Sequence, residues 1–216
     1  MSGRKQFDPI DALDAAVRVF WEKGYAAASV SDLLQATRLS RASLYATFGD
    51  KQHLFLACLA RYTETVGNAS GTALNDEAGD VRARIQAGFD AILNRMADPA
   101  VPGGCLLAQT AAESGALEEP IRAEIGRILD EQIRQMSLLL RANRPDLKDP
   151  ESLAAYIVTV AQALAVMHRA GTNVDQLRNT AAHAMRALDA AGRAAEAVSP
   201  ALGGRDPAAA TASPCA

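Results

Sequence analysis

SVSDLLQATRLSRASLYATF, residues 29–48, decides how the rest of the chain is read. Two short helix signals stand in it, joined by a tight connection. Ser29 precedes Val30 with Asp32 three residues on, a capping-box start, and Val30, Leu33 and Leu34 give the first helix an apolar stripe. Ser40 caps a second helix in which Leu44 and Phe48 repeat one turn apart and share a core face with Leu39. The outer face of that helix carries Arg41, Ser43 and Tyr45, with Ala42, Ala46 and Thr47 beside them. Such small, polar or basic groups can lie against phosphates and base edges. Two helices joined by so short a turn, the second polar on its outer side, make a helix-turn-helix pattern. An ordinary αα-hairpin fits the same residues equally well.

Bulk properties restrict the alternatives. The chain has 216 residues, 49% hydrophobic and 22% charged, with 5% aromatic, a globular and helix-leaning composition long enough for one domain plus a smaller one and for a real core. The pI near 5.6 excludes a surface coated in positive charge, so any nucleic-acid contact must be local. In residues 1–55, seven cations (Arg4, Lys5, Arg18, Lys23, Arg38, Arg41, Lys51) oppose six acids (Asp8, Asp11, Asp14, Glu22, Asp32, Asp50), a balance of 7 − 6 = +1 within a chain of net −3. Three widely spaced cysteines do not form a disulfide framework, which points to a reducing cytoplasm. No apolar region follows Arg4 and Lys5 to make a secretion signal. The longest apolar run, Leu153 to Met167, is short for a membrane span and is interrupted by Thr159 and Gln162, so no membrane partner is expected.

Upstream of the paired helices, Asp8-Pro9 opens a helix with Asp as cap and Pro at its first position. Ile10, Leu13, Val17, Phe20 and Trp21 form its expected buried stripe, and Gly24 its left-handed αL terminus. Arg4 and Lys5 would form a short arm before it. Downstream, Gly49-Asp50 breaks and recaps a helix from about Lys51 to Val66, apolar along Leu54, Phe55, Cys58, Leu59 and Tyr62.

The run FWEKGYAAASVSDLLQATRLSRASLYATFGDKQHLF, residues 20–55, resembles the N-terminal DNA-binding domain of TetR-family transcriptional regulators. Phe20, Gly24-Tyr25, Ser29-Val30, Leu39-Ser40, Leu44-Tyr45, Phe48 and Lys51 stand at that family's spacing without a gap. The resemblance implies that the second helix enters the major groove of operator DNA and that the start of the next helix grips phosphate. Carried over by position, the DNA-contacting set is Ser29, Arg38, Ser40, Arg41, Ala42, Ser43, Tyr45, Thr47 and Lys51. Two departures stand out. Ala46 and Thr47 replace the aromatic or His residues frequent there, and Arg38 replaces the Gly usual between the helices. If Arg38 keeps φ > 0 it costs on the order of 1 kcal/mol; a phosphate contact or a different turn are the alternatives.

Beyond Gly67, NASGTALNDEAGD is loop-like, and helices are expected near Asp80–Ala97, Gly104–Ser114, Glu118–Ala142, Pro150–Ala170 and Val174–Ala191, with no strand. The fold class is therefore all-α: an N-terminal three-helix helix-turn-helix domain (1–50), then a helical bundle for effector binding and dimerisation (51–191), then an Ala-, Gly- and Pro-rich tail (192–216) whose composition predicts disorder. In Glu118–Ala142 the charges Glu124, Arg127, Glu131, Arg134 and Arg141 read as a solvated face.

Self-association is expected from the last two helices, through Tyr156, Val160, Ala163 and Met167 on the first and Val174, Leu177, Ala181, Ala184 and Leu188 on the second, a coiled-coil-like seam. A four-helix interface in a homodimer is expected, as in TetR regulators, and with it two reading helices about 34 Å apart on a near-palindromic operator; the alternative is that both helices merely complete a monomer core. The small-molecule effector is assigned to Phe89, Met96, Cys105, Gln109, Glu113, Met136 and Met167. Cys105, Gln109 and Glu113 share a helix face, a wet side or the few polar groups of an apolar pocket; the PGGCLL segment, similar to one in a subgroup of these regulators, favours the pocket. Cys105 at a helix N-terminus also admits thiol sensing of oxidants or electrophiles. His53, His168 and His183 lack partners at metal-ligand spacing, and no cofactor is expected. The function expected is a regulator, a repressor released by its effector, and not an enzyme, since no P-loop, GxSxG, HExxH or triad occurs. An α-helical enzyme, or an adaptor without DNA binding, is the alternative of another class.

Overall fold

The structure, a computed structural model, describes residues 8–67, 74, 79–113, 115 and 117–196, side chains of 192–196 excepted. The expected arm at Arg4 and Lys5, the loop residues 68–73 and 75–78, Ser114, and the tail 197–216 with Cys215 lie outside the described residues.

Among the described residues there are nine α-helices and no strand: α1 (Pro9–Lys23), α2 (Val30–Thr37), α3 (Arg41–Phe48), α4 (Lys51–Tyr62), α5 (Val81–Ala97), α6 (Leu106–Ala112), α7 (Glu119–Asn143), α8 (Pro150–Arg169) and α9 (Val174–Glu196). Their starts follow the local chemistry. Asp8, Ser29, Ser40, Asp50, Asp80 and Asp149 each accept a backbone N–H from the first turn of the helix they precede, satisfying donors that the helix itself cannot. The capping box at Ser29 is complete, with Asp32 accepting the Ser29 N–H in return.

Two apolar cores result. One gathers α1–α4 and is closed by Leu106 and Leu107 of α6 and by Ile121, Ile125 and Ile128 of α7. At its centre Phe55 packs edge-on to Phe20 with ring centroids 4.8 Å apart, and Tyr25 lies 4.8 Å from Phe55. The other gathers α5, α8, α9 and the C-terminal half of α7, including Met136 and Leu140. The 25-residue α7 therefore runs through both, and burial on one continuous helix ties them together. Its outer side carries the ion pairs Glu124–Arg127 and Glu131–Arg134, as its charge pattern predicts.

Several details differ from expectation. Ile10 is 54% exposed; it lies in the first turn, and the α1 stripe becomes fully buried only from Val17 onward. Gly24 has positive φ (84°) but ψ of 169°, so it leaves α1 in the extended glycine region and not in αL. The last turn after α4 is a π-helix, Thr63–Gly67, rather than a continuation of α-helix to Val66. The helix expected at Gly104–Ser114 is shorter, with Cys105 and Glu113 as its two caps. Helix α9 runs to Glu196, past the expected start of the tail at 192. Helix α8 is 20 residues and contains an 18-residue stretch of mean hydropathy 1.3, long and apolar enough to cross a membrane by length and composition; Ala154, Ile157, Val158, Leu164 and Ala165 on it are buried in the bundle.

Helix α9 departs furthest from expectation, its apolar seam being buried inside the subunit. Leu177, Ala181, Ala184 and Leu188 are 0–2% exposed, packed within the second core of this same subunit, and Val174 is half-buried against it. Heptad-like spacing identifies a buried seam without saying whose surface covers it, and here α5 and α8 cover it.

Candidate nucleic-acid interface and effector cavity

Helix α3 is eight residues long, and only Leu44 on it is fully buried. Arg41, Ala42, Ala46 and Thr47 are exposed, while Ser43 and Tyr45 are half-buried at its edge. Ser40 caps it by accepting the Ser43 N–H at 3.1 Å and meets the Ser43 hydroxyl at 2.9 Å. The Thr47 hydroxyl donates to the Ser43 carbonyl. Leu44, with half-buried Phe48 one turn on packing against the same core, holds one side of the helix, and its polar side projects outward.

The α2–α3 turn is made by Arg38 at φ 56°, ψ 27°, so the turn does not differ from the glycine form: the left-handed conformation is kept and carried by an arginine. Arg38 is exposed. Neither it nor Arg41 has a carboxylate within salt-bridge distance among the described residues. Two uncompensated guanidinium groups thus flank the N-terminus of α3, where exposed backbone N–H groups also favour an anion. By contrast Lys23 pairs with Asp32 at 2.6 Å, and that bond, with the Ser29 backbone bond, holds the Asp32 carboxyl at about 2.

Lys51 is placed differently from expectation. Its ammonium sits 4.6 Å from the centroid of the Tyr25 ring, half-buried, and desolvation lowers its pKa. A cation–π contact inside the subunit already engages the group assigned to phosphate.

Between α4 with its π-turn, α5, α7 and α8 lies a cavity of about 220 Å³. Three of the residues assigned to the effector, Phe89, Met136 and Cys105, line it. The other four residues assigned to it do not. Met96 is buried core, 7% exposed. Met167 is 50% exposed on the outer side of α8. Gln109 and Glu113 do share a face with Cys105, but that face lines a separate groove with Val166 and Arg169, because α6 turns it toward α1.

There Glu113 Oε2 accepts the Ala26 N–H at 3.0 Å. Its carboxylate lies where a Cβ on Gly24 would stand, 2.0 Å from Oε1. From the end of α8, Arg169 donates to the Trp21 carbonyl at 3.2 Å and to the Glu22 carbonyl at 2.7 Å. These are last-turn carbonyls of α1 with no helical partner. A carboxylate and a guanidinium from the C-terminal half therefore clamp the α1–α2 turn.

Polar groups that sequence inspection overlooked line the cavity: Tyr62, Arg95, Gln132, Gln135 and Gln162. Tyr62 is 2% exposed; its ring packs edge-on to Trp21 of α1, centroids 4.9 Å apart. Burial, followed by the neighbouring Cys105 thiol, pushes the Tyr62 hydroxyl well above its ordinary pKa. The hydroxyl, Arg95 Nε and Gln162 Oε1 are buried without a hydrogen-bond partner among the described residues. A signal existed for Arg95: it continues the helical stripe Ile85, Gly88, Phe89, Ile92, where an arginine is out of place.

Comparison with known proteins agrees with this geometry. Residues 12–58 match the family described as bacterial regulatory proteins, tetR family, and residues 81–188 match the tetracyclin repressor-like C-terminal domain. The chain is 29% identical to the HTH-type transcriptional repressor ComR of Escherichia coli over 189 residues, 84% of this chain and 89% of that protein. It is 28% identical to the regulator YezE of Bacillus subtilis over 88% of this chain and all of that protein. Among solved structures, a cysteine mutant of the TetR-family regulator CifR bound to 26-base-pair operator DNA superposes with a TM-score of 0.76 at 30% identity, covering 85% of this chain and 98% of that one.

Proposed function

This chain belongs to the TetR family of bacterial regulatory proteins, and from that premise we propose that it acts in the cytoplasm as a homodimeric repressor, released from a near-palindromic operator by a small molecule entering the α4–α5–α7–α8 cavity. It is a DNA-binding transcriptional regulator. The observation that carries the repressor proposal is α3 itself, anchored along one side by Leu44 and Phe48, polar and exposed on the other, and flanked by unpaired Arg38 and Arg41. We assign base-edge and phosphate contacts to Arg41, Ala42, Ser43, Tyr45 and Thr47, and backbone contacts to Ser29, Arg38 and Ser40. Lys51 is assigned to the Tyr25 ring instead of DNA. Residues 1–50 form the reading head and 51–191 the effector and dimer body, with α4 as their shared wall.

Dimerisation is assigned to α8, where Tyr156, Val160, Ala163 and Met167 share one side; Tyr156 and Met167 are 43% and 50% exposed. Effector coupling has a physical basis in Tyr62, whose hydroxyl faces the cavity while its ring leans on α1. A ligand that moves Tyr62 changes the packing under the head, and differential affinity for two head positions is what release requires. The deciding experiment is selection of bound duplexes from a random pool, followed by footprinting with wild type and Arg41→Ala. A palindromic site lost in the variant is expected; no selected sequence at all, or a site indifferent to Arg41→Ala, would overturn the proposal.

A second reading is favoured by Cys105, whose thiol lines both the cavity and the clamp groove. Modification there would press on both, making the chain an oxidant or electrophile sensor. Cys105→Ser should then abolish any oxidant-driven DNA release, and an unaltered response would remove the idea.

A further inference from the structure

We infer that the cavity recognises a compact monocarboxylate, an anionic head on a short aliphatic or aryl body, gripped by Arg95 and Tyr62; the inference rests on the cavity being the effector site. Three buried polar atoms without partners converge on this one cavity: Tyr62 Oη, Arg95 Nε and Gln162 Oε1. Leaving buried donors unmade is expensive, so such groups mark a place where something else completes the bonds.

Their chemistry decides what that is. Arg95 is a permanent cation with a planar fork of donors, and no carboxylate lies within salt-bridge distance of it among the described residues. Tyr62, kept protonated by burial, offers a second donor within reach of the Arg95 charge. Two donors, one cationic, in a mostly apolar cavity call for an acceptor that is itself negative. The rest of the lining, including Ile85, Phe89, Ile92 and Met136, calls for an apolar body. At about 220 Å³ the space lies below that of pockets for drug-sized ligands, so the body must be short. Gln162, whose amide already bonds Gln132 at 3.0 Å, leaves one polar end for a substituent on that body.

The test is titration calorimetry on the full chain with two matched pairs, benzoate against benzamide and hexanoate against hexanamide, with sulfate as an anion lacking the apolar body. An acid should bind wild type about tenfold or more tighter than its amide, the scale of a hydrogen bond to a charged group, and should release operator. Sulfate should not bind. Arg95→Gln should erase the acid-over-amide preference, Arg95→Lys should keep part of it, and Ala161→Phe, which fills the cavity, should abolish binding. Amides binding wild type as well as acids would overturn the carboxylate inference while leaving the effector cavity standing. Sulfate matching benzoate, or an intact preference in a folded Arg95→Gln, would overturn it as well. If no compound of either class binds, the inference falls together with the cavity assignment.

Discussion

Gly24 shows how much one residue can decide. Its φ of 84° and ψ of 169° lie in a region essentially closed to side chains, and a Cβ there would displace the Glu113 carboxylate from Ala26. Gly24→Ala should therefore lower stability by about 1–3 kcal/mol, read as a lower urea midpoint with unchanged slope; wild-type stability would contradict the close approach. Arg38 poses the opposite case. It holds φ 56° where glycine would rest without strain, so Arg38→Gly should raise stability by about 1 kcal/mol. If the guanidinium also meets phosphate, the same variant loses DNA affinity and its salt dependence flattens by about one unit. Stability gained without affinity lost would leave Arg38 a tolerated misfit.

At the scale of the element, α2 is held by its capping box and by Lys23–Asp32. The bonds from Lys23 and Ser29 hold the Asp32 carboxyl at about 2, below an aspartate's ordinary value of about 3.9. A carboxyl whose pKa is depressed by folding contributes stability that is complete above the higher value and is lost as pH falls toward the lower one. Between about pH 4 and 2 wild type should lose part of its stability through this group, and Asp32→Asn should be less stable at neutral pH with a shallower acid limb. An acid limb of unchanged slope, followed by circular dichroism, would dissociate Asp32 from acid sensitivity. Because the pair is exposed, high salt should weaken its contribution.

At the scale of the molecule, α7 threads both cores, the clamp of Glu113 and Arg169 grips the α1–α2 turn, and Tyr62 joins cavity to head. Arg169→Ala should leave the fold and effector binding intact while reducing the effector's influence on operator affinity, measured as the ratio of DNA dissociation constants with and without ligand; an unchanged ratio would exclude Arg169 from the coupling. The exposed side of α8 makes a separate prediction. Tyr156→Glu with Met167→Glu should shift the sedimentation coefficient from dimer to monomer and weaken binding to a palindromic site more than to a half-site. A dimer persisting in the double variant would move the interface elsewhere.

Residues 29–48 determined the paired helices and their short turn, because caps, short-range periodicity and a polar outer face are local properties that neighbours in the chain specify; the choice of a DNA-reading pair over a plain αα-hairpin came from the family spacing across residues 20–55. The same holds for the helix order and for the apolar stripe of α4. Tertiary structure alone decided which helix faces met which partners. The seam of α9 looked the same in sequence whether covered by this subunit or another, and it is covered by α5 and α8. Gln109 and Glu113 shared a face with Cys105 as their spacing required, yet that face points to Gly24 and not into the effector cavity. Tyr62 read as plain core and Arg95 drew no reading at all, since an unpaired buried donor exists only once a cavity encloses it. Periodicity assigns a residue to a side of its own helix; only packing between distant helices determines what lies opposite.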